Sequence, residues 1–300
     1  MLKEYALQPE LLSSWPVFRY LSDKFGYGRG RVIAEYPKKW RKMVYESLGN
    51  CKPMERKRIE AGLIKLRSAL YPRPWPYDND KVWLDNAIEE HAKRPFCAII
   101  AQDNPYGVAA VIREADLDEE DEPRWKAERQ RRIERTATEM ASCAEMLLRN
   151  AKEILFVDPR FRPGEPRFKR SLQALLQIIA QRPPEIPVRR IEIHTGHETA
   201  GTKAFFDTEC KRHLLPIIPR GMQIRLIRWD QKYLHNRFIL TEYGGLKFST
   251  GLDDHNSSAL THDIVDLLEP EPYAQTWQEY QRDSSHFPLI EDDLIIEGIA

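Results

Sequence analysis

Between positions 152 and 229, short apolar runs alternate with longer amphipathic stretches, and that alternation restricts the chain to an α/β sheet with helices on its faces. Residues 153–158, built on Ile154, Leu155, Phe156 and Val157, have the length and composition of a buried strand. Residues 190–194 and 222–229 repeat the pattern, and the amphipathic stretches 167–181 and 202–215 lie between them. Residues 96–101, centred on Ile99 and Ile100, read as a further buried strand, and Pro123 opens a stretch with helical spacing that runs to about residue 150.

The first part of the chain reads differently. Val17, Phe18 and Leu21 recur at helical spacing, and residues 38–45 follow Pro37, a favoured first helical residue, as a basic amphipathic stretch. Residues 54–70 form another, and the proline-rich segment 71–77 breaks the pattern before it resumes near Trp83. The expected organisation is a basic helical accessory module over 1–92, followed by an α/β domain over 93–300 that ends in an acidic segment.

Formal net charge is zero, but it is unevenly spread. From Arg29 to Arg67 there are 12 Lys or Arg against 4 Asp or Glu, a local +8; from Thr250 to Ala300 there are 12 Asp or Glu against one Arg, a local −11. Arg29, Arg31, Lys38, Lys39, Arg41 and Lys42, with Trp40 and Tyr45 nearby for stacking, are the candidate contacts to a nucleic-acid backbone. A solvated face and a protein-docking face are the competing readings. A third reading makes the chain a regulatory or adaptor subunit that uses the acidic segment as an internal DNA mimic.

With 42% apolar and 31% charged residues, the chain reads as globular, and no run approaches the roughly 18 apolar residues of a membrane span. The first residues lack an apolar signal core, and the four scattered cysteines form no C-x-x-C pair, so a cytoplasmic location is expected.

One segment carries chemistry. His235 is followed by Arg237, and strand alternation would put both on one face. Glu242 comes five residues later, and Ser249 and Thr250 precede a small-residue turn. An imidazole beside a guanidinium, with hydroxyl and amide donors such as Asn236, Ser249 and Thr250, makes a phosphate pocket that either cleaves a phosphodiester or only holds one.

This segment resembles the phospholipase D superfamily, whose signature is H-x-K-x4-D followed about six residues later by a G-S/G-x-N/S box. Here Arg237 stands for the lysine, Glu242 for the aspartate, and Ser249-Thr250-Gly251-Leu252 for the box. The form is similar to a divergent branch that includes the phospholipase D-like C-terminal domain of MIT-domain trafficking proteins. The resemblance covers roughly residues 95–270, and the βαβ units upstream of the motif fit that fold.

It implies a metal-independent phosphodiesterase: His235 would attack phosphorus, a second imidazole would protonate the leaving oxygen, and Arg237 would neutralise the phosphoryl oxygens. One motif copy implies a homodimer with His235 facing its equivalent across a twofold axis. His194 or His197, beside a turn at a strand end, would be the donor if the site is completed within one chain. Glu242 would orient an imidazole or pair with Arg237. No cofactor is implied, and Asp253, Asp254, His255, His262 and Asp263 match no zinc spacing.

The expected function is therefore a nuclease, with DNA as favoured substrate, in a bacterial defence or repair setting. The alternative is a module that binds nucleic-acid or lipid-headgroup phosphate within a larger protein complex. No membrane association is expected.

Overall fold

In the computed structural model, residues 1–118, 120–198, 201–255, 260–284, 286–287 and 290–299 are described. The chain is α/β, with mixed and parallel sheets flanked by helices, and it divides into two compact units, Met1–Arg129 and Gln130–Ala300.

The first unit comprises β1 (Lys3–Leu7), α1 (Trp15–Lys24), β2 (Arg31–Glu35), α2 (Trp40–Ser47), α3 (Pro53–Leu66), β3 (Leu70–Pro72), α4 (Trp83–Lys93), β4 (Ala98–Ala101) and β5 (Val111–Arg113). All of its described strand pairs are parallel, in the order β3-β2-β1-β4-β5.

Alternating side chains divide between two cores. Leu7, Ile33 and Ile100 face Phe18, Trp40 and Leu63 from α1, α2 and α3. Ala6, Ala34 and Ile99 face Trp83 and Ala87 from α4. Trp40 is fully buried and its indole N–H donates to the Leu7 carbonyl at 2.6 Å, which ties α2 to the end of β1.

Residues 1–92 are thus not a helical module. They contain three of this sheet's strands, five residues or fewer in length. Strands buried on both faces lack the polar–apolar alternation that marks a half-exposed strand. The expected strand at 96–101 pairs through β4 with β1, so it belongs to this unit and the boundary falls after Arg129, not after residue 92.

The second unit comprises β6 (Gln130–Glu134), α5 (Ala137–Asn150), β7 (Glu153–Val157), α6 (Pro166–Ala180), β8 (Arg190–Gly196), α7 (Lys203–Leu214), β9 (Gln223–Trp229), β10 (Arg237–Thr241), β11 (Gly245–Phe248), β12 (His262–Leu267), α8 (Pro270–Glu279) and β13 (Leu294–Glu297). Its sheet runs β13-β9-β8-β7-β10-β11-β12-β6. Strands β7, β8 and β9 are parallel, while β10 returns antiparallel beside β7 and begins an antiparallel half.

The expected helix from Pro123 to about residue 150 is really β6 followed by α5. Thr136 separates them: its side chain accepts the Glu139 N–H at 3.2 Å and caps the helix.

Candidate functional site

The reversal at β10 builds the site. Parallel strands β7, β8 and β9 all end at one edge of the sheet, where Pro159, Arg160, Glu198, Asp230, Gln231 and Lys232 emerge. Because β10 is antiparallel to β7, its first residues arrive at that same edge, and the Phe238–Val157 register sets Arg237 beside Asp158. Strand β11 pairs Arg237 with Phe248, so Ser249 and Thr250 come out there too. His235, Asn236, Arg237, Ser249 and Thr250 are therefore gathered at one end of the sheet.

His235 and Arg237 line a cleft of about 600 Å³ together with Arg160, Lys232, Glu198 and Asp230. Leu234 is buried and anchors the approach to β10, leaving His235 and Asn236 exposed. Arg237 is half-buried: Nη1 donates to the His235 carbonyl at 3.1 Å, while Nε is buried without a hydrogen-bond partner among the described residues. Lys232 is paired with Asp230 at 2.9 Å. Close backbone approach is needed at Gly196, where a Cβ would fall 1.8 Å from Gln231 Oε1 and 3.0 Å from the Pro159 carbonyl.

Asp158 is the floor of this edge. Its carboxylate accepts the Leu252 and Arg160 N–H groups, each at 2.8 Å. Burial pushes its pKa above the usual aspartate value, although these N–H groups and the Arg237 guanidinium pull in the other direction. Thr250 is committed elsewhere: its N–H and hydroxyl both donate to Asp263, at 3.0 and 3.1 Å. Ser249 is exposed.

Two expected members of the site lie outside it. Glu242 follows the far end of β10, about five residues and roughly 16 Å of strand from Arg237. There it accepts the Lys152 and Glu153 N–H groups at 2.7 and 3.1 Å, so it neither orients an imidazole nor pairs with Arg237. His194 is fully buried on the sheet face shared by Val157, Trp229 and Phe238. Arg237, adjacent to Phe238, points to the opposite face by strand alternation. A proton-donor role for His194 is thereby ruled out on access. His197 is half-buried, with Nδ1 3.3 Å from the Trp229 carbonyl.

Asp158 and Arg160, at the end of β7, read from the sequence alone as ordinary surface groups; the structure buries Asp158 beneath this edge and places Arg160 in the cleft. Their signal was position at the end of a strand in a βαβ unit, where α/β sheets place their sites.

The acidic cluster after β11 is occupied by arginines. Asp253 is buried between Arg135, which donates to it, and Arg167 at 3.0 Å, while Arg170 holds Asp254 at 2.8 Å. Further along, Asp293 is paired with Arg225 at 3.0 Å and Arg228 with Glu291 at 2.9 Å. Part of the acidic segment is thus paired with arginines of its own unit.

The six expected backbone-contacting cations, all in the first unit, do not form one surface. Arg29 precedes β2 and Lys38, Lys39 and Lys42 follow it, so the strand's length separates them. Arg31 is buried, with Nε donating to the Trp125 carbonyl at 2.9 Å and its guanidinium 4.4 Å from the Trp125 ring centroid. Arg41 is paired with Glu35 at 3.3 Å. The expectation that Arg31 reaches nucleic acid is corrected: its donors are spent inside the fold.

No family model matches the chain, and no curated protein matches it. Among solved structures it is similar to TrmBL2, an archaeal chromatin protein whose structure shows a novel mode of DNA binding, at 10% identity over 81% of this chain and 67% of that one, with a TM-score of 0.25. No helix among the described residues is long and apolar enough to cross a membrane.

Proposed function

We propose that the second unit is a phospholipase D-like phosphodiester-binding module and that a nucleic-acid phosphate, DNA in preference, sits in the His235–Arg237 cleft. The observation that carries this reading is the buried Nε of Arg237, unpartnered among the described residues, beside an exposed imidazole. A buried guanidinium nitrogen without an acceptor is costly, and a phosphate oxygen would satisfy it with a charge-assisted bond. Arg160, in the same cleft and without an ion pair among the described residues, supplies a second cation.

Hydrolysis is the second reading, supported by the exposure of His235. A histidine nitrogen would attack phosphorus, the leaving oxygen would take a proton from a second imidazole, and water would then release the phosphoryl group from His235. His235 is the one imidazole among the described residues lining the cleft, so this reading requires a homodimer in which two copies each contribute it.

One experiment separates the readings. Wild-type protein, His235→Ala and Arg237→Ala are incubated with single-stranded DNA in EDTA, with binding and cleavage followed together. Binding lost in Arg237→Ala supports the phosphate site, and cleavage lost in His235→Ala supports turnover. Binding unaffected by Arg237→Ala would overturn the proposal.

A further inference from the structure

The first unit has a cleft of its own, independent of the site in the second. It has a volume of about 820 Å³ and lies beyond the carboxyl ends of β1, β2 and β3. Gln8 follows β1, Lys38 and Lys39 follow β2, and Trp75 and Tyr77 follow β3. In an open parallel sheet, ligands bind outside the carboxyl ends of the strands near the point where strand order reverses. In this sheet the reversal lies between β1 and β4, and the cleft borders it on the β1 side through Gln8 and Glu10.

The lining has two chemistries side by side. Four lysines, Lys38, Lys39, Lys42 and Lys81, stand against two glutamates, Glu10 and Glu46. Lys42 is 3.5 Å from Glu46, and Lys81 is paired with Glu89. Lys38 and Lys39 are exposed and have no ion pair among the described residues. Adjacent uncompensated ammonium groups at a strand end are suited to phosphate oxygens.

The other component is aromatic. Trp75 is half-buried, with the Arg94 guanidinium 4.0 Å from its ring centroid, and Arg94 is held in turn by Glu90 at 2.7 Å. Tyr77 makes an edge contact with Tyr36 at 5.6 Å between centroids, and burial pushes its hydroxyl pKa upward. These rings are fixed by the fold, so little side-chain entropy remains to be lost when a planar group stacks on them.

Residues 8–12 after β1 contain no glycine, so the turn lacks the glycine-rich backbone cradle that holds phosphate in dinucleotide-binding sheets. The cations must come from side chains, and the segment after β2 supplies them.

We infer that this cleft binds a nucleoside phosphate, with its phosphate on Lys38 and Lys39 and its base against Trp75 and Tyr77. The full-length protein is titrated calorimetrically with ADP, AMP, inorganic phosphate and a single-stranded 20-nucleotide DNA. ADP should bind saturably and more tightly than inorganic phosphate. The double substitution Lys38→Ala/Lys39→Ala, at exposed positions that leave the core intact, should weaken ADP about tenfold or more. Trp75→Leu should weaken ADP while leaving inorganic phosphate unchanged. His235→Ala should leave ADP binding intact, which separates this site from that of the second unit. The inference is overturned if ADP binds no better than inorganic phosphate, if the lysine pair can be removed without effect, or if the 20-nucleotide DNA competes for the same lysines more tightly than ADP.

Discussion

The indole N–H of Trp229 donates to Nδ1 of His194 at 2.9 Å, and the two rings stack at 5.9 Å between centroids. That bond fixes the tautomer: Nδ1 accepts, so the neutral ring carries its proton on Nε2, which faces Glu192 at 3.3 Å. The pair closes the core between the sheet and Tyr280. His194→Ala should lower unfolding free energy by about 2–4 kcal/mol, through a cavity and an orphaned indole donor. Chemical denaturation monitored by tryptophan fluorescence measures this; a stability unchanged from wild type would show that the ring is not bearing the packing described.

Acid should weaken the second unit through Glu192. Burial alone would raise its carboxyl pKa, but the His194 hydrogen bond and the cations of Arg190 and Arg225 hold it below the ordinary value of 4.5. A carboxylate with a depressed folded-state pKa contributes stability above its unfolded pKa and loses it as pH falls through the folded value. The midpoint of urea unfolding should therefore drop as pH is lowered below about 4.5, and Glu192→Gln should flatten that part of the curve.

Glu242 and Arg237 should separate cleanly by assay. Glu242→Ala removes an acceptor from two backbone N–H groups at the far end of β10 and should cost about 1–2 kcal/mol of stability, leaving DNA affinity within about twofold. Arg237→Ala should do the reverse, weakening DNA about tenfold with little change in unfolding. Fluorescence anisotropy with labelled single-stranded DNA, run beside denaturant melts, reads both.

Asp253→Asn should be among the more damaging single changes. The carboxylate is shared by Arg135 and Arg167, and Asp253 and Arg135 are both buried. Removing one charge from a buried pair costs about 3–5 kcal/mol; Arg167, being partly exposed, should bring the loss to the lower end. Equilibrium unfolding of the purified variant measures the loss, and one below about 1 kcal/mol would mean that solvent already screens the pair.

The second unit was the more legible in sequence because its strands are separated by full helices. Residues 153–158, 190–194 and 222–229 were expected as strands, and the structure has Glu153–Val157, Arg190–Gly196 and Gln223–Trp229. The first unit was misread because Lys3–Leu7 and Arg31–Glu35 are five-residue strands beside stronger helical periodicity, and no alternation marks a strand covered on both faces. At the candidate site, His235 and Arg237 line one cleft, but β10 begins at Arg237, so the strand alternation expected from their spacing is not what brings them together. The loss of Glu242 follows from strand geometry, since a rise of about 3.3 Å per residue carries position 242 away from position 237. The burial of His194 was not readable, because it depends on Trp229 and Tyr280 arriving from later in the chain.

The first unit is continuous in sequence, and its final segment is also its clasp. Lys3 donates to the carbonyl of Lys126 at 2.8 Å, Tyr5 to that of Arg124 at 2.6 Å, and Arg31 to that of Trp125 at 2.9 Å, so β1 and β2 are sealed by residues added about a hundred positions later. Domains fold as units during synthesis, amino-terminal first. A ribosome therefore holds this unit unfastened until Trp125 clears the exit tunnel, and limited proteolysis of stalled nascent chains should show protection beginning at that length.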